Sequence, residues 1–231
     1  MADLLFSEAP GIVELMPEAL ARRVHAAAKP MRYRDTELIH ARGDLQRGLS
    51  IVRSGAVRFD NPGDDGSYVT TTVMGPGQSF GEFTLFGDLP RTHDATAVGA
   101  TIIDYLDHAC VDRLLREAPE LWRMLMVATT KRLHDALELL DDFRRLPLPA
   151  LAAKLLLTLP RSEADPAQVA CNQADLAFTL GVSRVSIGKA LAQLQRAGLL
   201  ALGYRAITIP DRAALQSWLA KHRVLSPVAP Y

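Results

Sequence analysis

The sequence predicts an α+β fold: an N-terminal all-β barrel or sandwich, one long helix, and a C-terminal pair of short helices followed by a β-hairpin. Residues 31–104 consist of short β-prone runs that glycine-bearing turns separate. Residues 119–143 have no glycine, and no proline after Pro119, which predicts about six turns of helix. Residues 173–197 place apolar side chains at helical spacing on both sides of Gly181.

The composition is that of a folded protein with two domains. At 231 residues the chain can bury two cores, and its 48% hydrophobic and 23% charged residues argue against a disordered or fibrous protein. The acidic N-terminus lacks the Lys or Arg of a secretory signal and no apolar run could span a membrane, so we expect a cytoplasmic protein with no membrane partner. Cys110 and Cys171 are too few for a disulfide framework or a thiolate metal cluster, and we predict no metal site.

The N-terminal half is predicted to contain one helix and five strands. Residues 17–28 carry apolar residues on one helical face, with Pro17 in the first turn. Residues 61–67 are dense in turn formers, which predicts an exposed hairpin tip. The β-prone runs are residues 49–52, 56–59, 68–73, 95–98 and 101–105.

The long helix carries the apolar seam of a coiled coil. Spacings of four and three residues alternate along it, as at the a and d positions of three heptads. We therefore predict a dimerisation helix and a homodimer; the alternative is a helix packed on its own domain. The seam residues are Trp122, Met126, Thr129, Leu133, Ala136, Leu140 and Phe143.

Residues 173–197 have the spacing of a helix-turn-helix. Gly181 permits a positive φ in the turn, Ser183 can cap the second helix, and the small Ala177 lets the two helices approach. The alternative is an ordinary helical hairpin. Residues 198–209 then predict two short β-runs about a turn, a wing, before a last helix that Asp211 starts and that reaches Trp218.

The second helix of such a motif enters the major groove of double-stranded DNA. Arg184, in its first turn, is the candidate for a guanine contact, and the serine hydroxyls are candidates for phosphate contacts. Residues 147–231 hold nine Lys/Arg and four Asp/Glu, 9 − 4 = +5, and the remainder carries 17 − 22 = −5, an asymmetry that suits a polyanionic partner. The predicted DNA-binding residues are Asn172, Gln173, Ser183, Arg184, Val185, Ser186 and Lys189.

Four segments carry a resemblance over nearly the whole chain: R42-G-D44, I51-V-R-S-G-A-V57, G81-E-F-T-L-F-G-D-L-P-R-T92 and S183-R-V-S-I-G-K189. Their order and approximate spacing resemble the cyclic-AMP receptor protein and Fnr (Crp/Fnr) family of bacterial transcription regulators. The resemblance implies a homodimer, with RNA polymerase as a further candidate partner. The implied domains are a jelly-roll-like, cyclic-nucleotide-binding-type β-roll (1–108), a dimerisation helix and hinge (109–146) and a winged helix-turn-helix (147–231).

The resemblance also implies an effector site in the roll. Arg91 would meet a cyclic phosphate, Thr92 would donate a hydrogen bond, and Glu82 would accept one from the ribose 2′-hydroxyl. The candidate effector is a cyclic nucleotide, cyclic AMP or cyclic GMP. The alternative is a Glu82–Arg91 ion pair that only steadies the roll. The predicted effector-binding residues are Gly81, Glu82, Phe83, Thr84, Arg91 and Thr92.

The chain departs from the family pattern at several positions. Ala136 and Leu137 stand where cyclic-AMP-binding members carry hydroxyl residues that meet the adenine, and residues 93–94 stand where the family continues directly with alanine. Val185 replaces a glutamate that accepts from a base, so the operator should differ. No cysteine precedes Cys110, which argues against an iron–sulfur sensor. A haem sensor stays open, with an axial ligand among His25, His40, His93, His108 and His134.

The sequence therefore predicts a sequence-specific DNA-binding transcription regulator controlled by a small effector in the roll. One alternative is the same regulator with a vestigial, effector-independent roll. A second is a cyclic-nucleotide-binding regulatory subunit. An enzyme is not expected, since no nucleophile–base pair, metal-ligand spacing or phosphate-binding glycine loop is present.

Overall fold

The computed structural model describes residues 11–62, 68–158, 167–169, 172–203 and 206–222. These residues divide into two compact units, one ending at His134 and the other beginning at Asp135. The helices up to and across this division are α1 (Ile12–Leu15), α2 (Glu18–Ala27), α3 (Glu82–Phe86), α4 (His108–Glu117) and α5 (Glu120–Arg145). The strands of the first unit are β1 (Lys29–Tyr33), β2 (Leu38–His40), β3 (Gly48–Pro62), β4 (Tyr68–Met74), β5 (Ser79–Phe80) and β6 (Asp94–Asp107).

The six strands form one antiparallel sheet with the order β1-β6-β3-β4, in which β2 pairs with β6 and β5 with β3. The sheet folds around an apolar interior, which confirms the predicted β-roll. The buried residues of this interior are Val52, Val57, Phe59, Phe80, Ala95 and Ile103.

The strands are longer than the sequence predicts. Runs 49–52 and 56–59 are parts of the single strand β3, and the last two predicted runs are parts of β6. Gly55 and Gly99, which look like separators in the sequence, lie inside these strands with φ of +77° and +67°, and the register between the strands shifts beside them. Strands β1, β2 and β5 were not predicted. Residues 63–67 of the predicted hairpin tip lie outside the described residues.

A second core joins the helices of the first unit. Its members come from α1, α2, the start of β3, α3, the end of β6, α4 and α5, and from the residues that directly follow α1 and α4. Helix α5 contributes Leu121 and Leu125, and its Ala128 is also buried, so one face of its first part packs on its own unit. The predicted helix over 17–28 is confirmed as α2, with Pro17 at its N-cap and Leu20 and Val24 buried.

The second unit is a winged helix-turn-helix. Its strands form a three-stranded antiparallel sheet, β7-β9-β8, of which β7 was not predicted. Asp211 caps the last helix by accepting from the amide of Ala214 at 3.0 Å. Residues 204–205 of the wing, and Cys171, lie outside the described residues. The elements are α6 (Leu148–Thr158), β7 (Ala167–Val169), α7 (Gln173–Thr179), α8 (Arg184–Arg196), β8 (Ala201–Gly203), β9 (Ala206–Ile209) and α9 (Arg212–His222).

Candidate functional site

Gly81 forms the turn that leads into α3. Its φ is +111°, and a Cβ here would lie 2.3 Å from the carbonyl oxygen of Gly48 and 2.8 Å from a guanidinium nitrogen of Arg91. Only glycine lets the backbone pass this close to the arginine. In α3 the buried Thr84 hydroxyl donates to the carbonyl of Gly81 at 2.9 Å, whereas Phe83 is exposed. The turn thus places Arg91 against the start of α3.

Arg91 is a buried cation with weak partners. The residue is 8% exposed, one guanidinium nitrogen donates to the carbonyls of Gln46 and Gly48 at 3.4 Å each, and Nε has no partner among the described residues. Burial lowers the pKa of Arg91, and the negative charge of Glu82 partly opposes this effect. Because a buried charge without a counterion is costly, this guanidinium is suited to receive an anion.

Glu82 is held by two residues that the sequence analysis did not single out. Its Oε1 accepts from the Ser79 hydroxyl at 2.6 Å and from Arg132 at 3.3 Å, and a second nitrogen of Arg132 donates to Ser79 at 3.2 Å. The alternative prediction of an ion pair between Glu82 and Arg91 is wrong. Glu82 forms its ion pair with Arg132 of α5 instead. Nothing local marks Arg132, which lies 50 residues from Glu82 along the chain.

The exposed Thr92 contacts His93, the next residue in the chain. Its Oγ1 is 2.8 Å from Nδ1 of His93, and the residue is exposed. Asp94, next along the chain, accepts from the amide of Arg42 at 2.7 Å. A ligand that uses the Thr92 hydroxyl would therefore have to displace the contact with His93.

Helices α7 and α8 form the helix-turn-helix. Gly181 in the turn has a φ of +63°, and the Ser183 hydroxyl caps α8 by accepting from the amide of Ser186 at 3.1 Å. These two serine hydroxyls also lie 2.9 Å apart, within hydrogen-bond distance. The cap and the buried face fix the position of the helix in its unit. The buried residues are Ile187, Ala190, Leu191 and Leu194.

The outer face of α8 is open at its N-terminal end. Arg184 and Lys189 are exposed, and the aliphatic side chain of Val185 is 67% exposed between them. The exposed Gln173 begins α7 and lies against α8, because a Cβ on Gly188 would be 3.4 Å from its Oε1. The face therefore offers cationic, apolar and amide groups together.

The predicted seam of α5 is uncovered in the single chain. Its five large apolar residues are between 44% and 62% exposed, and Ala136 and Leu137 are exposed as well. The rings of Phe86 on α3 and Trp122 on the seam lie 4.9 Å apart, which extends the apolar surface. No helix among the described residues has the length and apolar character needed to span a membrane.

Comparison with known proteins gives two family matches. The family described as the cyclic nucleotide-binding domain matches residues 30–118, and the Crp-like helix-turn-helix domain matches residues 151–218. Both matches fall on the elements described above.

Three known proteins are similar over most of the chain. The CRP-like cAMP-activated global transcriptional regulator of Mycobacterium tuberculosis is 28% identical over 81% of this chain and 86% of its own. The transcriptional regulator LdrP of Thermus thermophilus is 31% identical over 80% of this chain and 94% of its own. A solved structure of a CRP/FNR-family regulator of Thermus thermophilus shares the fold, with a TM-score of 0.68 at 22% identity over 84% of this chain and 100% of that one.

Proposed function

Because the chain belongs to the Crp/Fnr family of DNA-binding transcription regulators, we propose that it reads its operator through the first turn of α8. The observation that carries the proposal is the exposure of Arg184, Val185 and Lys189 on a helix whose other face is buried. A recognition helix needs this division, since one face must hold the fold while the other meets base edges.

Each exposed group fits a different part of the groove. The guanidinium of Arg184 can donate two hydrogen bonds to O6 and N7 of a guanine. Val185 can offer only apolar contact, which favours a thymine methyl at the base pair that it faces. The ammonium of Lys189 can meet a guanine or a phosphate, and the hydroxyls of Ser183 and Ser186 can donate to phosphates. The operator should therefore carry a guanine beside a thymine in each half-site.

Selection of bound sequences from random DNA identifies the operator. Affinities for that operator and for a random duplex are then compared by fluorescence anisotropy at fixed salt. Arg184→Ala should lower operator affinity by about 5- to 100-fold and change random-DNA affinity little, because a base contact is removed. Arg196→Ala is the matched control in the last turn of α8. Equal losses on both DNAs for Arg184→Ala would contradict the assignment.

The regulator is proposed to act as a homodimer joined by α5. The support is the exposed seam, which would leave several large apolar side chains in water in a monomer. Two copies related by a two-fold axis would also present two recognition helices to a palindromic operator.

The roll is proposed to bind a cyclic nucleotide whose phosphate meets Arg91. The support is the uncompensated guanidinium and the orientation of Glu82 by Ser79 and Arg132; the name of the Mycobacterium tuberculosis relative states that it is cAMP-activated. In isothermal titration calorimetry, cyclic AMP or cyclic GMP should give heat that Arg91→Ala abolishes.

A regulator with an effector-independent roll is the second candidate. The observation that favours it is Ala136 and Leu137, whose side chains offer no hydrogen bond to a base. Absence of heat with both nucleotides, together with operator binding by the untreated protein, would establish this candidate and remove the cyclic nucleotide.

A further inference from the structure

Helices α5 and α6 are joined by a short link inside the second unit. Helix α5 ends at Arg145 and α6 begins at Leu148, so two residues separate the helices. A proline restricts the residue before it to extended backbone, and Pro147 therefore limits the conformations of Leu146. Residues 142–154, from the last turn of α5 into α6, form what we call the junction.

An ion pair crosses the junction from Asp142 to Lys154. Residues 133–141 and 143–145 of α5 are exposed, whereas the side chain of Asp142 is only 16% exposed. Its carboxylate pairs with the ammonium group of Lys154 on α6, whose side chain is 24% exposed. Asp142 is not a seam residue, so a second copy packed on the seam would leave the pair in place. The late part of α5 is thus tied to its own unit through Asp142.

Helix α6 connects the junction to the recognition helix. Leu146 and Leu151 share a buried core with Leu219 of α9. At the other end of α6, Arg212 of α9 donates to the carbonyl of Leu157 at 2.6 Å. Helix α6 also packs against α8. The direction in which α6 leaves α5 therefore sets the position of α8 relative to α5.

The ion pair is the directional contact of the junction. The core around Leu146 holds the two helices together, but apolar contact is non-directional and tolerates a range of angles. A charge-assisted hydrogen bond between two helices is satisfied only over a narrow range. Because both side chains are mostly covered, solvent screens this pair less than a pair on the open surface. The pair is therefore the contact that selects one angle.

We propose that the Asp142–Lys154 ion pair fixes the angle between α5 and α6, so that the homodimer accepts one spacing between the two half-sites of its operator. The inference rests on the proposed function, a dimer joined by α5 that reads DNA through α8. Both are positioning residues, since neither lies on the exposed face of α8. Each base pair added between the half-sites turns one of them by about 35° about the DNA axis. A fixed angle therefore excludes the other spacings.

Amide hydrogen exchange of the full-length protein without DNA tests the junction itself. Lys154→Met removes the cation and keeps an apolar chain that can pack in its place. Exchange in peptides that cover residues 146–157, followed by mass spectrometry, should become about tenfold faster in this variant, because the junction opens more often. Lys221→Met removes an exposed lysine in the last turn of α9 and should leave this exchange unchanged.

Operators with altered spacing test the consequence for DNA. The selected operator is compared by fluorescence anisotropy with duplexes that carry one or two extra base pairs between the half-sites. The unaltered protein should lose about tenfold in affinity for each added base pair, and Lys154→Met less than about threefold, because a free junction lets both α8 helices reach their half-sites. Lys221→Met, which removes the same charge from the same unit, should keep the full loss. The double variant Asp142→Lys with Lys154→Asp restores the pair and should restore both readouts.

Three results would overturn the proposal. Unchanged exchange at the junction in Lys154→Met would show that the pair does not hold it. An undiminished dependence on spacing in that variant would show that the angle is fixed elsewhere. A folded charge-swapped double variant that restores neither readout would show that the pair itself is not the cause. Asp142→Asn, which removes the partner charge at equal size, gives the same readouts if Lys154→Met does not fold.

The proposed function and this inference fail separately. A monomeric protein, or one that selects no operator, would remove the proposed dimeric regulator. The exchange of the junction would still decide whether the ion pair fixes the angle between α5 and α6, because that measurement needs neither DNA nor a second copy.

Discussion

Arg58 and Arg91 are both partly or fully buried, but among the described residues only Arg58 has a carboxylate partner. Arg58 donates to Asp60 at 2.7 Å, and the Asp60 side chain is 2% exposed. Within the part of the chain that the structure describes, Arg91 donates only to the carbonyls of Gln46 and Gly48, at 3.4 Å each. The two arginines should therefore contribute to stability with opposite signs, because desolvation of a charge is offset only where a counterion is present.

Arg91→Met is expected to raise the free energy of unfolding by about 1 kcal/mol, since an uncompensated buried charge is removed. Arg58→Met should lower the free energy of unfolding by about 2 kcal/mol, because Asp60 loses the cation with which it pairs. Solvent screening of this half-buried pair keeps the loss from being larger. Urea denaturation of both variants measures the two values. A loss in Arg91→Met as large as that in Arg58→Met would show that the carbonyl contacts of Arg91 hold the roll together.

His40 is a half-buried imidazole whose surroundings disfavour its charge. Burial lowers the pKa of His40 to about 4 and the Arg91 cation adds to this, while Asp44, Asp94 and a hydrogen bond to the backbone of His93 oppose it. The ring lies 6.1 Å from that of Phe59 and 5.7 Å from that of Phe80. The neutral imidazole thus packs as an aromatic residue.

The depressed pKa makes stability depend on pH below 6.5. Between pH 6.5 and 4 the unfolded chain binds a proton at His40 that the folded chain does not, so the free energy of unfolding falls as the pH is lowered, by up to about 3 kcal/mol. Above pH 6.5 both states are neutral and the effect vanishes. The stability of His40→Phe should lack this fall, as urea denaturation at pH 7, 5.5 and 4.5 would show. A ring that titrates near 6.5 in an NMR experiment would contradict the assignment.

Strands β3 and β6 owe their length to glycines with positive φ. The register between β3 and β6 shifts between the pairs Ser54–Ile102 and Ala56–Val98. Gly55 of β3 and Gly99 of β6 both lie within this shift. A Cβ on Gly55 would lie 2.5 Å from Thr101 Oγ1, whereas a Cβ on Gly99 would meet no atom of the described residues within 4 Å. A side chain at Gly55 would therefore meet both steric overlap and backbone strain, whereas a side chain at Gly99 would meet backbone strain alone.

Gly55→Ala is expected to lower the free energy of unfolding by about 3 kcal/mol, since it combines a positive φ with an overlap against Thr101. Gly99→Ala should cost about 1 kcal/mol, from the positive φ alone. Thermal unfolding of the two variants gives the comparison. Equal costs would mean that β6 shifts to admit the new methyl group.

Helix α5 links the core of the first unit to the proposed dimer interface, because its two faces have different roles. Leu121 and Leu125 are buried in the core of the first unit. The proposed seam, which includes Leu133, is exposed over most of its length. One helix thus belongs to a unit on one face and is free for a second copy on the other.

Leu133→Glu is expected to weaken the proposed homodimer by on the order of a hundredfold, because two apolar side chains are lost from the seam and two like charges are brought together. Lys131→Glu reverses a charge two residues earlier, off the seam, and is the control. Sedimentation equilibrium measures the dimer, and operator affinity should fall in parallel. A monomeric unaltered protein, or a dimer that Leu133→Glu leaves intact, would contradict the α5 interface.

The sequence by itself determined the features that depend on neighbours along the chain. Gly181 and Ser183 mark the turn and the cap of α8, and the alternation of apolar residues on α5 marks a helix with an open seam. These signals act within a few residues, so spacing alone reveals them. The β-roll was predictable as a class because β-prone runs and turns recur, and the family resemblance agreed with it.

Only the tertiary structure decided how distant residues meet. The roll joins runs that the sequence separates at Gly55, because a glycine can continue a strand through a bulge as readily as it can end one. It gives Glu82 a partner in Arg132 rather than Arg91. Pairing across such distances depends on register and packing, which no local pattern encodes.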